Sequence, residues 1–355
     1  MSSCAPVRIS PMNSTEILPL PVPPPVEELL DGAVVVGLPM NTRFRGTTLR
    51  EVMLLRGPYG WAEFSPFPEY DAVESSRWLA AGVEAGWRGW PEPVRESIPV
   101  NATVPAVTAE QVPGVLSRFG EGITAVKIKV AESGQSMDDD LARVRAVHRE
   151  RPEVGLRIDA NAGWKHDEAV EALSRIAEIA KLEYAEQPVP GIEGLARLRE
   201  ALAERGVSTR LAADEAIRKE TDPLAVARAG AADLAVVKVQ PLGGVRRALS
   251  IVEAAGLDAV VSSALDSSVG LAGGVALAAA LPRLPYACGL GTAALFADDV
   301  VADPWVPHHG ALAVRPAPEP DPRALERLRL PAEREQWWRQ RLIHAHRVLS
   351  AVEPT

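Results

Sequence analysis

Five short apolar runs in the middle of the chain end in residues that can hold a cation or move a proton. They are Lys127-Ile-Lys129, Asp159-Ala-Asn161, Glu186-Gln-Pro, Asp214-Glu215 and Lys238-Val-Gln240. Three carboxylates on successive strands repel one another strongly unless a positive charge lies between them. All-oxygen donors with no histidine or cysteine nearby favour Mg²⁺, with Mn²⁺ as a substitute, over zinc. Lysines beside such a centre suit proton transfer, because burial and a neighbouring cation both lower a lysine pKa. Only six of the 38 basic residues are lysines. Arginine does not give up its proton in a protein, so lysines kept inside apolar runs stand out.

Taken singly, each residue has an ordinary explanation. Asp159 alone reads as a helix N-cap after a strand, and Glu186 or Asp214 as a solvated strand end. Lys127 or Lys238 alone reads as a snorkelling surface lysine, and Ser262-Ser263 as turn residues. The joint order and register of five run ends is what points to a site.

These ends require parallel strands to position them. Eight β-rich runs alternate with amphipathic helical stretches after Pro99: 101–106, 124–130, 155–160, 182–187, 210–215, 233–239, 258–263 and 285–290. Uninterrupted alternation of this kind predicts an α/β fold with a parallel sheet, and eight units predict a (β/α)₈ barrel. A doubly wound open sheet is the alternative, disfavoured because no G-x-G-x-x-G follows the first run. Side chains two apart on a strand share a face, so Lys127 with Lys129, and Lys238 with Gln240, are expected to point together into the barrel mouth.

Around this core, residues 1–31 read as an extended, proline-rich lead-in with little chemistry. Residues 32–98 form an α+β unit of three strand-like stretches and a helix, and 303–355 return to it through a charged helix carrying Trp337-Trp338. The barrel takes 99–302. The glycine-broken apolar run Val269 to Leu281 is too short to span a bilayer and reads as a buried helix.

Composition excludes several function classes. With 47% hydrophobic and 24% charged residues the chain is globular, and a net charge of −9 without a basic run gives no footprint for nucleic acid or an anionic membrane. Two cysteines, Cys4 and Cys288, build neither a disulfide framework nor a thiolate metal site, which suits a reducing cytoplasm. Monomer and homo-oligomer both stay open.

The order K-x-K, D-x-N, E-Q-P, D-E, K-x-Q resembles the muconate-lactonizing subgroup of the enolase superfamily, over nearly all the chain beyond the lead-in. The resemblance implies a capping domain, made from the N-terminal unit and the chain's end, over the barrel mouth. It also implies Mg²⁺ bound by Asp159, Glu186 and Asp214. Within the subgroup, Thr42-Arg-Phe-Arg-Gly46, the stretch 60–67, the stretch 100–106, Lys238-Val-Gln-Pro-Leu-Gly-Gly244 and Pro285-Tyr-Ala-Cys-Gly-Leu290 are similar to the o-succinylbenzoate synthases of the actinobacterial type. That similarity implies syn dehydration of a small-molecule carboxylate, 2-succinyl-6-hydroxy-2,4-cyclohexadiene-1-carboxylate, on the route to menaquinone. In this reading Lys129 is the base and then the acid, and Lys127 lowers the pKa of Lys129 by repulsion. Lys238 places a cation against the opposite face. Arg43 or Arg45, in the capping-domain loop that closes over the substrate, meets the succinyl carboxylate, and Asn161, Ser262, Ser263 and Gly289 are further substrate contacts.

The same machinery would serve an N-succinylamino acid racemase or a dipeptide epimerase. The latter is disfavoured because Gly289-Leu-Gly-Thr292 stands where an Asp-x-Asp is typical, and a muconate cycloisomerase because Gly289 replaces a glutamate. A non-catalytic binding barrel is the remaining alternative, and the intact set of carboxylates and lysines speaks against it.

Overall fold

Alternating apolar residues make Val34–Phe44 (β1), Thr47–Gly57 (β2) and Gly60–Phe64 (β3) pair as an antiparallel sheet, in the order β1-β2-β3. A helix, Ala72–Trp87, follows; the Asp71 side chain accepts from the Glu74 N–H at 2.8 Å and caps it. The computed structural model describes residues 17–44, 46–218 and 223–352, so Arg45 lies outside the described residues.

A short strand, Ser97–Pro99 (β4), leads into Ala102–Val104 (β5), Ala125–Lys129 (β6), Gly155–Asp159 (β7), Leu182–Glu186 (β8), Leu211–Ala213 (β9), Leu234–Val237 (β10) and Asp258–Val261 (β11). β5 to β11 form one seven-stranded parallel sheet in sequence order, and β4 pairs separately with Ala311–Ala313 (β12). Helices lie between most of these strands, and Ser136 with Asp139 forms a capping box on the helix Met137–Glu150. The run expected to be a buried helix is one: Ser268–Ala280 is apolar on every side and buried nearly throughout.

Four sequence expectations change. The eighth run makes no regular strand among the described residues. Its carbonyl at Ala287 is taken by the Arg157 guanidinium at 2.6 Å rather than by a neighbouring strand. Cys288 and Gly289 still make isolated parallel bridges to Val100 and Ser262 at the sheet's two edges. Secondly, β10 ends at Val237, and Lys238 starts a short helix, Val239–Leu242. Pro241 has no N–H for a strand ladder but fits a first helical turn, so Gln240 does not share a strand face with Lys238; it donates to the Gly270 carbonyl at 3.3 Å. Thirdly, the lead-in is not wholly extended: Val26–Leu30 is helical, with Glu27 and Glu28 in its first turn. Fourthly, Arg43 sits on β1 rather than in a loop.

The helix Ala332–Ser350 packs on Ala72–Trp87, with Trp338 edge-on to Phe64 at 6.0 Å and its indole N–H on Glu51 at 2.8 Å. The far end of β1 reaches the C-terminal ends of the parallel strands. There Asn41 Nδ2 donates to the Phe296 carbonyl at 2.8 Å, and Arg118 donates to Thr42 Oγ1 at 3.1 Å. No helix among the described residues is long and apolar enough to cross a membrane.

Candidate active site

Parallel register sets three functional side chains in a row. Lys129 of β6 pairs with Asp159 of β7, which pairs with Glu186 of β8, and Asp214 directly follows β9. Lys127, on the same face as Lys129, donates to Asp159 Oδ2 at 3.0 Å and Glu186 Oε2 at 3.1 Å. Lys129 Nζ donates to Asp159 Oδ2 and Asn161 Oδ1, each at 2.5 Å, and Lys238 Nζ to Asp214 Oδ2 at 2.5 Å. The three carboxylates are at most 1% exposed.

Burial without charge balance would neutralise such groups. Desolvation followed by the Asp159 charge pushes the Glu186 carboxyl up to about 7, even with Lys127 beside it. Burial acts the same way on Asp159, but Lys129, Lys127 and Lys238 outweigh it and hold that carboxyl well below the usual range. Burial also lowers both β6 lysines. For Lys127 the carboxylates of Glu186 and Asp159 more than reverse the effect and raise it, whereas Lys129 stays lowered. The expected repulsion from Lys127 contributes to that lowering, though desolvation is the larger cause.

Loop geometry fixes the ligand ends. Asn161 adopts φ +45°, its N–H donates to Asp159 Oδ1 at 3.1 Å, and its side-chain amide donates to Glu215 Oε1 at 3.3 Å. Gln187, the Q of E-Q-P, carries no sequence signal of its own. Its Oε1 accepts from the N–H groups of Asp214 and Ala216, both at 3.1 Å, and so sets where Asp214 stands.

The site has two connected spaces. An inner chamber of about 30 Å³, room for roughly one water, is lined by Lys127, Lys129, Asp159 and Lys238 on one part and Ser262, Ser263 and Gly289 on another. An outer cleft of about 390 Å³ shares Lys129, Asn161 and Phe44 with it and adds Arg43, Glu132 and Gln135. Phe44 sits 5.4 Å from Lys129 Nζ across its ring face. It belongs to the Thr42 to Gly46 stretch, whose arginines alone carry a sequence signal for substrate contact. Arg43 is exposed at the outer cleft. Ser263 bonds Thr292 at 2.6 Å, another chamber residue without a sequence signal. Gly289 is tight-packed as well as chamber-lining: a Cβ there would stand 2.5 Å from Ser262 Oγ.

The donor set fits a divalent cation in chemistry, offering buried, acceptor-only oxygens from Asp159, Glu186 and Asp214. Among the described residues no three His, Cys, Asp or Glu stand as a ready coordination cluster. Each carboxylate instead has an ammonium partner, the positive charge such a group of acids demands.

Residues 111–318 match the enolase C-terminal domain-like family and residues 35–86 the enolase N-terminal domain-like family. The chain is 52% identical over 326 residues to the o-succinylbenzoate synthase of Mycolicibacterium smegmatis, covering 92% of this chain and 98% of that one. It is 52% identical over 319 residues to the o-succinylbenzoate synthase of Mycobacterium leprae, covering 90% and 92%. The chain belongs to the o-succinylbenzoate synthase family of the enolase superfamily.

Solved structures agree on the fold. The muconate lactonizing enzyme of Pseudomonas fluorescens, complexed with muconolactone, superimposes with a TM-score of 0.70 at 21% identity, over 84% of this chain and 98% of that one. The 2-chloromuconate cycloisomerase of Rhodococcus opacus does so with 0.70 at 23%, over the same shares. Members of the o-succinylbenzoate synthase family are lyases, and enzymes of the superfamily depend on a divalent metal.

Proposed function

We propose that this chain is an o-succinylbenzoate synthase that dehydrates 2-succinyl-6-hydroxy-2,4-cyclohexadiene-1-carboxylate, with Lys129 as its base. The observation that carries the reading is the juxtaposition of Lys129 and Lys238 in one small chamber, beside three buried carboxylates at successive strand ends. The identity to relatives of that name supports the substrate.

Asp159, Glu186 and Asp214 would hold Mg²⁺. When bound, it supplies the positive charge that makes the α-proton acidic and stabilises an enediolate. Lys129, already biased toward its neutral form by burial, takes the α-proton. Its ammonium group then gives that proton to the departing hydroxyl on the same face, so water leaves and the ring becomes aromatic. The order needs one group acting as base and then acid, which is why the elimination is syn. Lys127 stays charged between Asp159 and Glu186 and keeps both oriented. Lys238, from across the chamber, sets a cation against the other ring face. Asn161 orients Lys129, Ser262, Ser263 and Gly289 bound the succinyl side, and Arg43 or Arg45 closes over its carboxylate.

In this reading the bridges at Cys288 and Gly289 are the eighth stave of a closed (β/α)₈ barrel spanning 99–302. Residues 32–98 with 303–355 then form its capping domain. The enzyme works in the cytoplasm.

The inner chamber is smaller than the substrate, and the outer cleft that shares Lys129, Asn161 and Phe44 with it adds room. The experiment is an ultraviolet assay of dehydration with Mg²⁺, run beside racemisation of an N-succinylamino acid. Fast dehydration with little racemisation is expected; racemisation alone would leave the fold and lysine roles but refute the substrate.

A further inference from the structure

The base of the reaction is only as good as the backbone that aims it, and one buried arginine holds that backbone. Arg143, on the helix Met137–Glu150, is fully buried. Its Nη1 donates to the Lys129 carbonyl at 2.7 Å and to Asp140 Oδ1 at 2.9 Å, and its Nε donates to the Val107 carbonyl at 2.6 Å. Its Nη2 donates to the Gln135 side-chain oxygen.

The partners extend the staple. The other Asp140 oxygen accepts from the Ala131 N–H at 2.9 Å, where the chain turns through φ +59°. The Gln135 amide donates to the Ala106 carbonyl at 2.7 Å. Two segments are therefore tied to one guanidinium: the end of β6 with its following loop, and the loop after β5. Ala106, Lys129 and Gln135 all line the outer cleft.

We propose that Arg143 is a positioning residue for Lys129, fixing through the Lys129 carbonyl where its Nζ points and holding the cleft wall beside it. Arg143 touches no substrate itself. A planar fork with five donors can bind several directions at once, which a lysine ammonium at the same place cannot match. This inference rests on the reading of Lys129 as the base.

The test uses the full chain with Mg²⁺ and the cyclohexadiene substrate, comparing the parent with Arg143→Lys and Arg143→Ala well below their melting temperatures. The expected result is a loss in kcat of about 10²-fold for Arg143→Ala, the scale of a misplaced catalytic group, with KM little changed. Arg143→Lys should fall between. Added guanidinium should restore part of the Arg143→Ala rate without raising its Tm. If Arg143→Ala does not fold, Asp140→Asn is read by the same kcat and KM split, with a loss of roughly tenfold expected. A folded variant with kcat near the parent's overturns the proposal, as does a loss confined to KM. Rescue that only follows recovery of Tm marks a merely structural arginine and also overturns it. If the parent itself does not dehydrate the substrate, the functional reading fails first, and this inference falls with it.

Discussion

Lys127 and Lys129 stand two residues apart on one strand face and both donate to Asp159 Oδ2, yet their ammonium groups are driven in opposite directions. Burial lowers both; at Lys127 the Glu186 charge, then that of Asp159, reverses it, whereas at Lys129 the repulsion from Lys127 exceeds the pull of Glu186. Glu186 lies within 3.1 Å of Lys127, whereas the second contact of Lys129 is the neutral Asn161 amide oxygen. In the proposed reading this makes one lysine a fixed charge and the other the proton carrier.

Removing that asymmetry should be visible in activity. Glu186→Gln deletes a candidate metal ligand and the partner that raises Lys127. Dehydration should fall by at least about 10²-fold, measured by ultraviolet absorbance at saturating Mg²⁺. A rate near the parent's would remove Glu186 from the site.

Metal binding should show without turnover. A ligand that binds only the folded chain raises apparent stability by RT ln(1 + [L]/Kd), about 2.7 kcal/mol at 100 times Kd. Mg²⁺ should raise Tm in a differential scan and EDTA reverse it. Asp214→Asn should blunt the shift, and an unchanged Tm in the parent would argue against the carboxylate trio as a metal site.

Stability should depend on pH through a buried carboxyl pair outside the candidate metal ligands. Glu63 of β3 is buried against the N-terminus of the helix Ser268–Ala280, accepting from the Ser267 N–H at 3.0 Å and from Ser65 Oγ at 2.6 Å. Burial, then the Asp266 charge, pushes its carboxyl from 4.5 to about 7. The folded state thus binds this proton more tightly than the unfolded state. The resulting stability is fully present below about 4.5 and is lost as pH rises toward about 7. The Tm of Glu63→Gln should fall less between pH 5 and pH 8 than the parent's. Equal slopes would exclude Glu63 as a source of the pH dependence.

Arg157 should matter for stability rather than chemistry. It is 1% exposed and joins Asn101 Oδ1 at 3.0 Å to the Ala287 carbonyl, spanning the gap between the sheet's first strand and the bridging segment. Arg157→Ala would strand both acceptors and cost on the order of 3 kcal/mol, read by urea unfolding. A cost below about 1 kcal/mol would mean the guanidinium does not hold this closure.

The strand ends were legible because parallel pairing and period-two alternation convert sequence spacing directly into position: Lys127, Lys129, Asp159 and Glu186 follow from the register alone. Lys238 is legible in the same way, although the strand ends at Val237 and its neighbour Gln240 lies in the helix Val239–Leu242. What stayed hidden depends on side chains meeting across long separations. Phe44 reaches Lys129 from the first sheet, Arg143 reaches the Lys129 carbonyl from a helix, and Thr292 meets Ser263. No local periodicity encodes such meetings. The helix at Val26–Leu30 was masked by the prolines that precede it.

The most direct test is the initial rate of dehydration by Lys129→Ala, beside Lys238→Ala and the parent, with Mg²⁺ present and folding confirmed by Tm. Loss of the base predicts a fall of roughly 10²- to 10⁴-fold or more with the metal-induced Tm shift retained. A folded Lys129→Ala enzyme that dehydrates at the parent's rate would contradict the assignment of Lys129 as the group that moves the proton.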